Sequence, residues 1–430
     1  MRVRAIIESL ALAGAAGLAA VAVAEAGLAV ADYPPAYNDL RVFVEYDSLR
    51  GWHNIPDSRR PYVTPEFTVD LEYNARAYRG PLHEYVKPAG TYRVLLLGDS
   101  DLEGYSVALQ DRVAEVLERM LQQAPGARPV EVVALGTSGY GTDQELLWLA
   151  SEGLRYSPDL VVVLFDLNDI WFNNQSRYHL GPKPVFRLVG DSLVLTNVPV
   201  PRATASVSSG VAARGPWRVV RRFIRQHSRL VWLAERATRR TAWLQGVGMR
   251  VGVINAPPAT VQTAGGRVTV PAEYTVLADS LTPQADTALI VTAKLLARMQ
   301  HRTRAAGGAF AVVLVPATEE LYPPGAPQSV RFHRTLPLRV DLHRPSERFR
   351  EICTRARVRC VDPTARFVVA AQALPPGELL LFPLDGHWNE HGHRVAAQVI
   401  ADLVREAMAG NQRAPRRAHK QGRPPGRRTG

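Results

Sequence analysis

The 430-residue chain predicts an α/β fold of three layers, helix over a central parallel sheet over helix. Three observations lead there. Five short apolar, β-branched runs recur along it: RVLLL (93–97), VEVVAL (130–135), DLVVVLF (159–165), AFAVVLV (309–315) and VRCVD (358–362). Such runs suit strands buried on both faces. Amphipathic helical stretches separate them, and this alternation is the pattern of a parallel sheet. Glycines and small polar residues follow the runs, where open parallel sheets bind ligands.

The intervening helices can be read one by one. Within 107–123, Val113, Val116, Leu117, Met120 and Leu121 recur at spacings of three and four, with charged residues elsewhere. Residues 142–153 and 286–306 behave similarly, the second ending at Gly307-Gly308 as a helix does. The 345–356 stretch opens on a proline, favoured in a first turn. Between about 175 and 285 the alternation stops, marking an inserted, lid-like region. It holds hairpin-like VFRLVGDSLVLTNVPV and the basic stretch RGPWRVVRRFIRQHSRLVWLAERATRR. In the latter, Val219, Val220, Phe223, Ile224, Leu230, Val231 and Ala234 share a helical stripe, with Arg218, Arg221, Arg222, Arg225 and Arg229 off it. A lid helix packed on its own domain is the reading preferred over one lying on an anionic membrane.

The ends of the chain differ from its middle. Residues 1–31 begin with Arg2 and Arg4 and then carry no charge from Ser9 through Ala24. Read from Ala5 to Ala31, the segment is long enough to span a bilayer as an uncleaved anchor. Ala22-Val23-Ala24 and Ala29-Val30-Ala31 instead suit a cleaved signal peptide. Either way the arginines hold the start in the cytoplasm and send the rest outward, so the membrane is an expected partner. Residues 32–92, rich in Pro, Tyr and Arg without sustained periodicity, read as an extended lead-in to the main domain at 93–410. The formal charge of +12 is concentrated in the 411–430 tail, where seven basic residues meet no acid. That is a disordered, solvated tail rather than a nucleic-acid-binding face. Cys353 and Cys360 suit one disulfide in an exported chain, and equally two buried thiols.

Four strand-end sites carry the chemistry. After the first run comes Gly98-Asp99-Ser100, a tight turn presenting a serine before a helix; after the second comes GTSGYGTDQ. DLNDIWFNN after the third places Asn168 just beyond the strand, and DGHWNEHGH near the C-terminus supplies Asp385 and His387 ahead of a helix that Asn389 suits as cap. Each alone is weak; the four in order supply what acyl transfer needs. The two acids after the serine, Asp101 and Glu103, read as first-turn residues with carboxylates turned away from Ser100. Asp143, Asp166 and Asp169 read as capping or turn residues. A metal site built from Asp385, His387, His391 and His393 is disfavoured, because His391 and His393 are two apart and a helix points them differently. No metal and no cofactor are expected.

In these motifs the chain resembles the SGNH or GDSL-type hydrolases, from about residue 70 to 407. RVLLLGDS with Gly104 is similar to the family's first block, VVALGTSGYGTDQ to the second, FDLND to the third and DGHWNEHGH to the last. The resemblance implies the flavodoxin-like SGNH fold. It also implies Ser100 as nucleophile, His387 as base, Asp385 as its partner, and an oxyanion hole of Ser100, Gly139 and Asn168. Two positions depart from it: Asp385 is two rather than three residues before His387, and Asp101 replaces the usual apolar residue. YNARAYRGP and AEAGLAVADYPP look like the membrane-tethered bacterial branch, implying an extracytoplasmic catalytic domain, anchored or secreted.

The implied activity is an esterase acting on a small-molecule or glycan ester, such as an O-acyl group of envelope glycan or lipid. An O-acyltransferase is the competing enzyme. In the alginate-acetylating type of the fold the Asp-His pair precedes the serine, and here it follows, which favours hydrolysis. A non-catalytic glycan-binding protein is the third reading, and would be natural had Ser100, Asn168 or His387 been replaced.

Overall fold

The computed structural model describes residues 2–31, 40–64, 66–123, 128–202, 258–263, 266–278, 280–323 and 345–413, with isolated positions between 228 and 247 and residue 328. Five parallel strands form the central sheet: β1 (Tyr92–Gly98), β2 (Val130–Gly136), β3 (Leu160–Phe165), β4 (Ala309–Leu314) and β5 (Cys360–Val361). Their order is β5-β4-β3-β1-β2, so β1 lies between β2 and β3. Leu96 registers with Ala134 on one side and Val162 on the other.

Alternate residues of each strand face opposite layers. Leu95, Leu97, Val133, Val161 and Val163 pack against α4 (Thr142–Ser151), α6 (Pro283–Ala305) and α7 (Pro345–Ala356). Val94, Leu96, Val132, Val162 and Val313 pack against α3 (Val113–Gln122) and α8 (Glu390–Arg413). The three layers expected from the alternation are therefore present. Helix ends follow local chemistry: Thr282 caps α6 by accepting from Ala285 N–H at 3.2 Å, and Asn389 caps α8 by accepting from the N–H groups of His391 and Gly392. Cys353 of α7 and Cys360 of β5 form a disulfide, their Cα atoms 6.2 Å apart.

Three regions lie outside this sandwich. Helix α1 (Arg2–Val30) contains a stretch, Ala11–Val30, long and apolar enough to cross a bilayer and wholly unburied. Residues 40–73, expected to be extended, instead form two antiparallel hairpins, Val44–Asp47 with Gly51–Asn54 and Ser58–Val63 with Thr68–Tyr73. The signal was present in TVDLEY, whose residues alternate exposed and buried, but it spans only six positions. Val69, Leu71 and Tyr73 join Phe43, Tyr62 and Tyr105 in a small separate core, which fastens the hairpins to the segment after β1. In the insert, Val185–Val189 and Ser192–Thr196 pair as a hairpin, as VFRLVGDSLVLT suggests, and Pro258–Thr263 pairs with Gly266–Pro271. Most of the basic stretch at 214–240, and the tail beyond Arg413, lie outside the described residues.

Candidate active site

Strand β1 ends at Gly98 and the chain turns at Asp99, whose carboxylate accepts the Asp101 N–H at 3.3 Å and caps α2 (Ser100–Glu103). Gly104 closes this single turn in the left-handed conformation, φ 62°, which a glycine adopts without strain. Ser100 is thus held at the carboxyl end of the sheet, half-buried. Its Oγ lies 2.8 Å from His387 Nε2, across 287 residues of sequence. His387 Nδ1 is 2.6 Å from Asp385 Oδ1. The two side chains meet although only Gly386 separates them; Gly386 has φ 94°, and the chain bends there.

The loop carrying these two residues has little regular structure beyond a Leu381–Trp388 β-bridge and local backbone hydrogen bonds, and side chains tie it to the rest of the site. The Glu66 carboxylate accepts the N–H groups of Leu384, at 2.9 Å, and Asp385, at 2.7 Å. Trp388 is gripped at both ends of its backbone: Asp101 Oδ1 accepts its N–H at 3.1 Å, and Ser106 Oγ donates to its carbonyl at 2.7 Å. The Tyr105 hydroxyl donates to Asp385 at 3.1 Å and lies 2.8 Å from His387 Nδ1.

The acids beside Ser100 therefore have defined partners, and both are buried. Asp101 reaches the loop that carries His387. Glu103 turns the other way, accepting the N–H and hydroxyl of Ser138 at 2.5 Å each and the Tyr73 hydroxyl. Ser138 precedes Gly139, whose φ is 74°; a Cβ there would fall 2.2 Å from the Tyr178 ring, so only glycine fits. Asn168 opens a short helix, α5 (Asn168–Phe172), and its N–H is held by Asp166 Oδ1 at 2.9 Å. Gly139 and Asn168 thus follow β2 and β3, the two neighbours of β1, on the same edge of the sheet as Ser100.

Electrostatics at the site favour a charged imidazole. Burial alone would lower the His387 pKa, but the Asp385 carboxylate, its hydrogen bond, Asp101 and Asp99 outweigh burial and push it up to about 9. Burial raises Asp101 to about 6 against the pull of His387, and raises Asp99 well above the usual carboxylate range, helped by Asp166 and Asp101. An imidazole whose cation is stabilised in this way is a strong proton acceptor.

Other polar residues support the scaffold. Asp166 is a turn residue, as its sequence position suggests. Asp143 does more than cap, forming a fully buried ion pair with Lys183, and Asp169 accepts from Thr142 Oγ1 at 2.8 Å. The structure parts His391 from His393. His391 lies 3.3 Å from Glu378, whereas His393 is buried, accepts the Val113 N–H at 3.3 Å and is driven down to about 3 by burial, Arg112 and Arg79. Among the described residues no group of three His, Cys, Asp or Glu side chains has the arrangement of a metal site. Sequence reasoning missed Tyr105, Ser106 and Glu66. The first two stand within six residues of Ser100, a proximity that could have singled them out.

Comparison with known proteins agrees with the family suggested by the motifs. Residues 96–253 match the GDSL-like lipase/acylhydrolase family, and residues 276–430 match the SGNH hydrolase-like domain of the acetyltransferase AlgX. The chain belongs to the SGNH/GDSL-type hydrolases. No curated protein matches its sequence. Similar solved structures include a lipase/acylhydrolase from Enterococcus faecalis, 13% identical, covering 73% of this chain and 96% of its own, TM-score 0.35. The acetyl xylan esterase AlAXEase is 12% identical over 73% of this chain and 99% of its own, TM-score 0.35. Axe2, an acetylxylan esterase from Geobacillus stearothermophilus, is 11% identical over 74% and 94%, TM-score 0.34.

Proposed function

We propose that this protein is a serine esterase that hydrolyses an O-acyl ester, on an envelope glycan or lipid. The observation that carries this reading is the hydrogen-bonded line from Ser100 Oγ to His387 Nε2, at 2.8 Å, and from His387 Nδ1 to Asp385 Oδ1, at 2.6 Å. Ser100 Oγ attacks the acyl carbonyl as its proton passes to His387 Nε2. Asp385 holds the imidazole in the tautomer with hydrogen on Nδ1 and stabilises the cation that forms. The N–H groups of Ser100 and Gly139 and the side-chain amide of Asn168 receive the oxyanion. His387 then protonates the leaving alcohol, a Ser100 ester remains, and water activated by His387 releases the acid. No step calls for a metal or cofactor.

The apolar helix α1 supports a membrane-tethered protein whose catalytic domain is extracytoplasmic. N-terminal sequencing of the exported protein tests the tether: a start at Glu25 or Asp32 means a cleaved signal instead. For the chemistry, full-length protein in detergent is expected to hydrolyse p-nitrophenyl acetate and Ser100→Ala to abolish it; retained hydrolysis would sink the assignment.

The AlgX-like match over residues 276–430 supports a second reading, an O-acyltransferase in which a sugar hydroxyl replaces water at the Ser100 ester. Supplying a polysaccharide acceptor with the acyl donor separates the two. Acylated polymer at the expense of free acid indicates transfer, and free acid alone indicates hydrolysis.

A further inference from the structure

The residue after the serine is an acid in this chain, and its contacts give it a task. Asp101 Oδ1 accepts the N–H of Trp388, the residue following His387, at 3.1 Å. Ser106, five positions further along the same segment, donates to the Trp388 carbonyl at 2.7 Å. Asp101 is buried, so its carboxylate contact is shielded from water, where a charge-assisted hydrogen bond is strongest. The backbone it grips lies outside the regular strands and helices, with a single β-bridge to Leu381 as its only ladder pairing. We propose that Asp101 is a positioning residue: by holding Trp388 to the serine's own helical turn, it sets the distance between Ser100 Oγ and His387 Nε2. This rests on the reading of Ser100 and His387 as nucleophile and base.

A nucleophile and base joined through a shared support keep their spacing when the surrounding structure breathes. An apolar side chain at 101 would leave the Trp388 N–H without its acceptor and the loop without one of its anchors. Asp101 also acts through space, since its charge helps to raise the proton affinity of His387. The other titratable groups facing this pair are Asp385 and Tyr105 beside the imidazole, Asp99 at the end of β1, Asp166 after β3 and His393 on α8.

Two substitutions separate the roles, assayed on full-length protein in detergent with p-nitrophenyl acetate from pH 5 to pH 10. Asp101→Leu removes both acceptor and charge, and kcat is expected to fall about ten- to a hundredfold with KM little changed, the size of effect that follows a base displaced by a fraction of an ångström. Asp101→Asn keeps an acceptor oxygen and removes the charge. Its kcat falls less, and the acidic limb of kcat/KM moves to lower pH, a shift that a merely structural residue would not produce. Thermal melting of both variants reports whether they fold, and Asp101→Asn carries the test if Asp101→Leu does not. Ser100→Ala is run beside them. If it is inactive while Asp101→Leu keeps wild-type kcat, or while Asp101→Asn keeps the wild-type pH limb, this proposal falls and the esterase reading stands. If Ser100→Ala remains active, the esterase reading itself falls.

Discussion

The two halves of the site are held by different means. Ser100 stands where β1 meets α2, and backbone hydrogen bonds from Glu103 N–H to Asp99 and from Gly104 N–H to Ser100, 2.9 Å each, fix its turn. The strand beneath it is buried along its whole length. The loop at 384–388 has local backbone hydrogen bonds of its own, Gly386 N–H to the Phe382 carbonyl at 2.7 Å and Phe382 N–H to the His387 carbonyl at 2.9 Å, but its ties to the rest of the site are side chains: Glu66 from a hairpin, and Asp101, Tyr105 and Ser106 from the serine's segment. Ser100 is placed by packing and regular backbone hydrogen bonding, whereas the loop of His387 is tied to it by polar side chains. Damage to the first should therefore appear as lost stability and damage to the second as lost rate.

The largest expected effect is removal of the proposed base, His387. His387→Ala should lower kcat by about a hundred- to ten-thousandfold, as loss of a general base does. A variant retaining full rate would mean that some other group accepts the Ser100 proton. Next comes Leu97→Ala in β1, a fully buried position. It should cost about 2–5 kcal/mol of stability in denaturant unfolding, while kcat per folded molecule stays near wild type. Reversal of that pattern would break the contrast. Glu66→Gln keeps one acceptor oxygen for two N–H donors and should reduce kcat by about tenfold with little change in melting, given how steeply rate depends on alignment. Normal kcat there would show that the loop needs no anchor from the hairpin.

The smallest effect is in the pH dependence. His387 has a raised pKa of about 9 in the folded chain, against about 6.5 when unfolded. Its contribution to stability is therefore full below about 6.5 and lost as pH rises through about 9. Deprotonation over the same window frees the imidazole for its proposed role as base, so kcat/KM should rise as this contribution fades. His387→Ala should flatten that part of the stability curve relative to wild type.

The difference between the halves also accounts for what could be read in advance. The five strands, the helices between them and the strand-end positions of Ser100, Gly139 and Asn168 follow from local regularities: apolar runs, periodic stripes, and glycines where the chain must turn. Asp385 and His387 were legible as a short motif ahead of a capped helix. The bend at Gly386 was not, because Asp-Gly-His allows both an extended and a bent path. Glu66 was hidden in a stretch with no sustained pattern, and the six alternating residues of TVDLEY were too few to set its hairpin apart.

The sequence by itself determined the α/β sandwich and the family's four motifs, because strand burial, helical amphipathicity and turn glycines are properties of neighbouring residues. It also determined that two acids follow the serine. What those acids do was decided only by the tertiary structure. Asp101 meets Trp388 across 287 residues and Glu103 meets Ser138 across 35, one gripping the His387 loop and the other the loop before Gly139. The pairing of Cys353 with Cys360 is of the same kind, since it was set by where β5 lies against α7. A carboxylate carries no record in the chain of which backbone N–H it will meet, and that partner exists only once distant segments have packed.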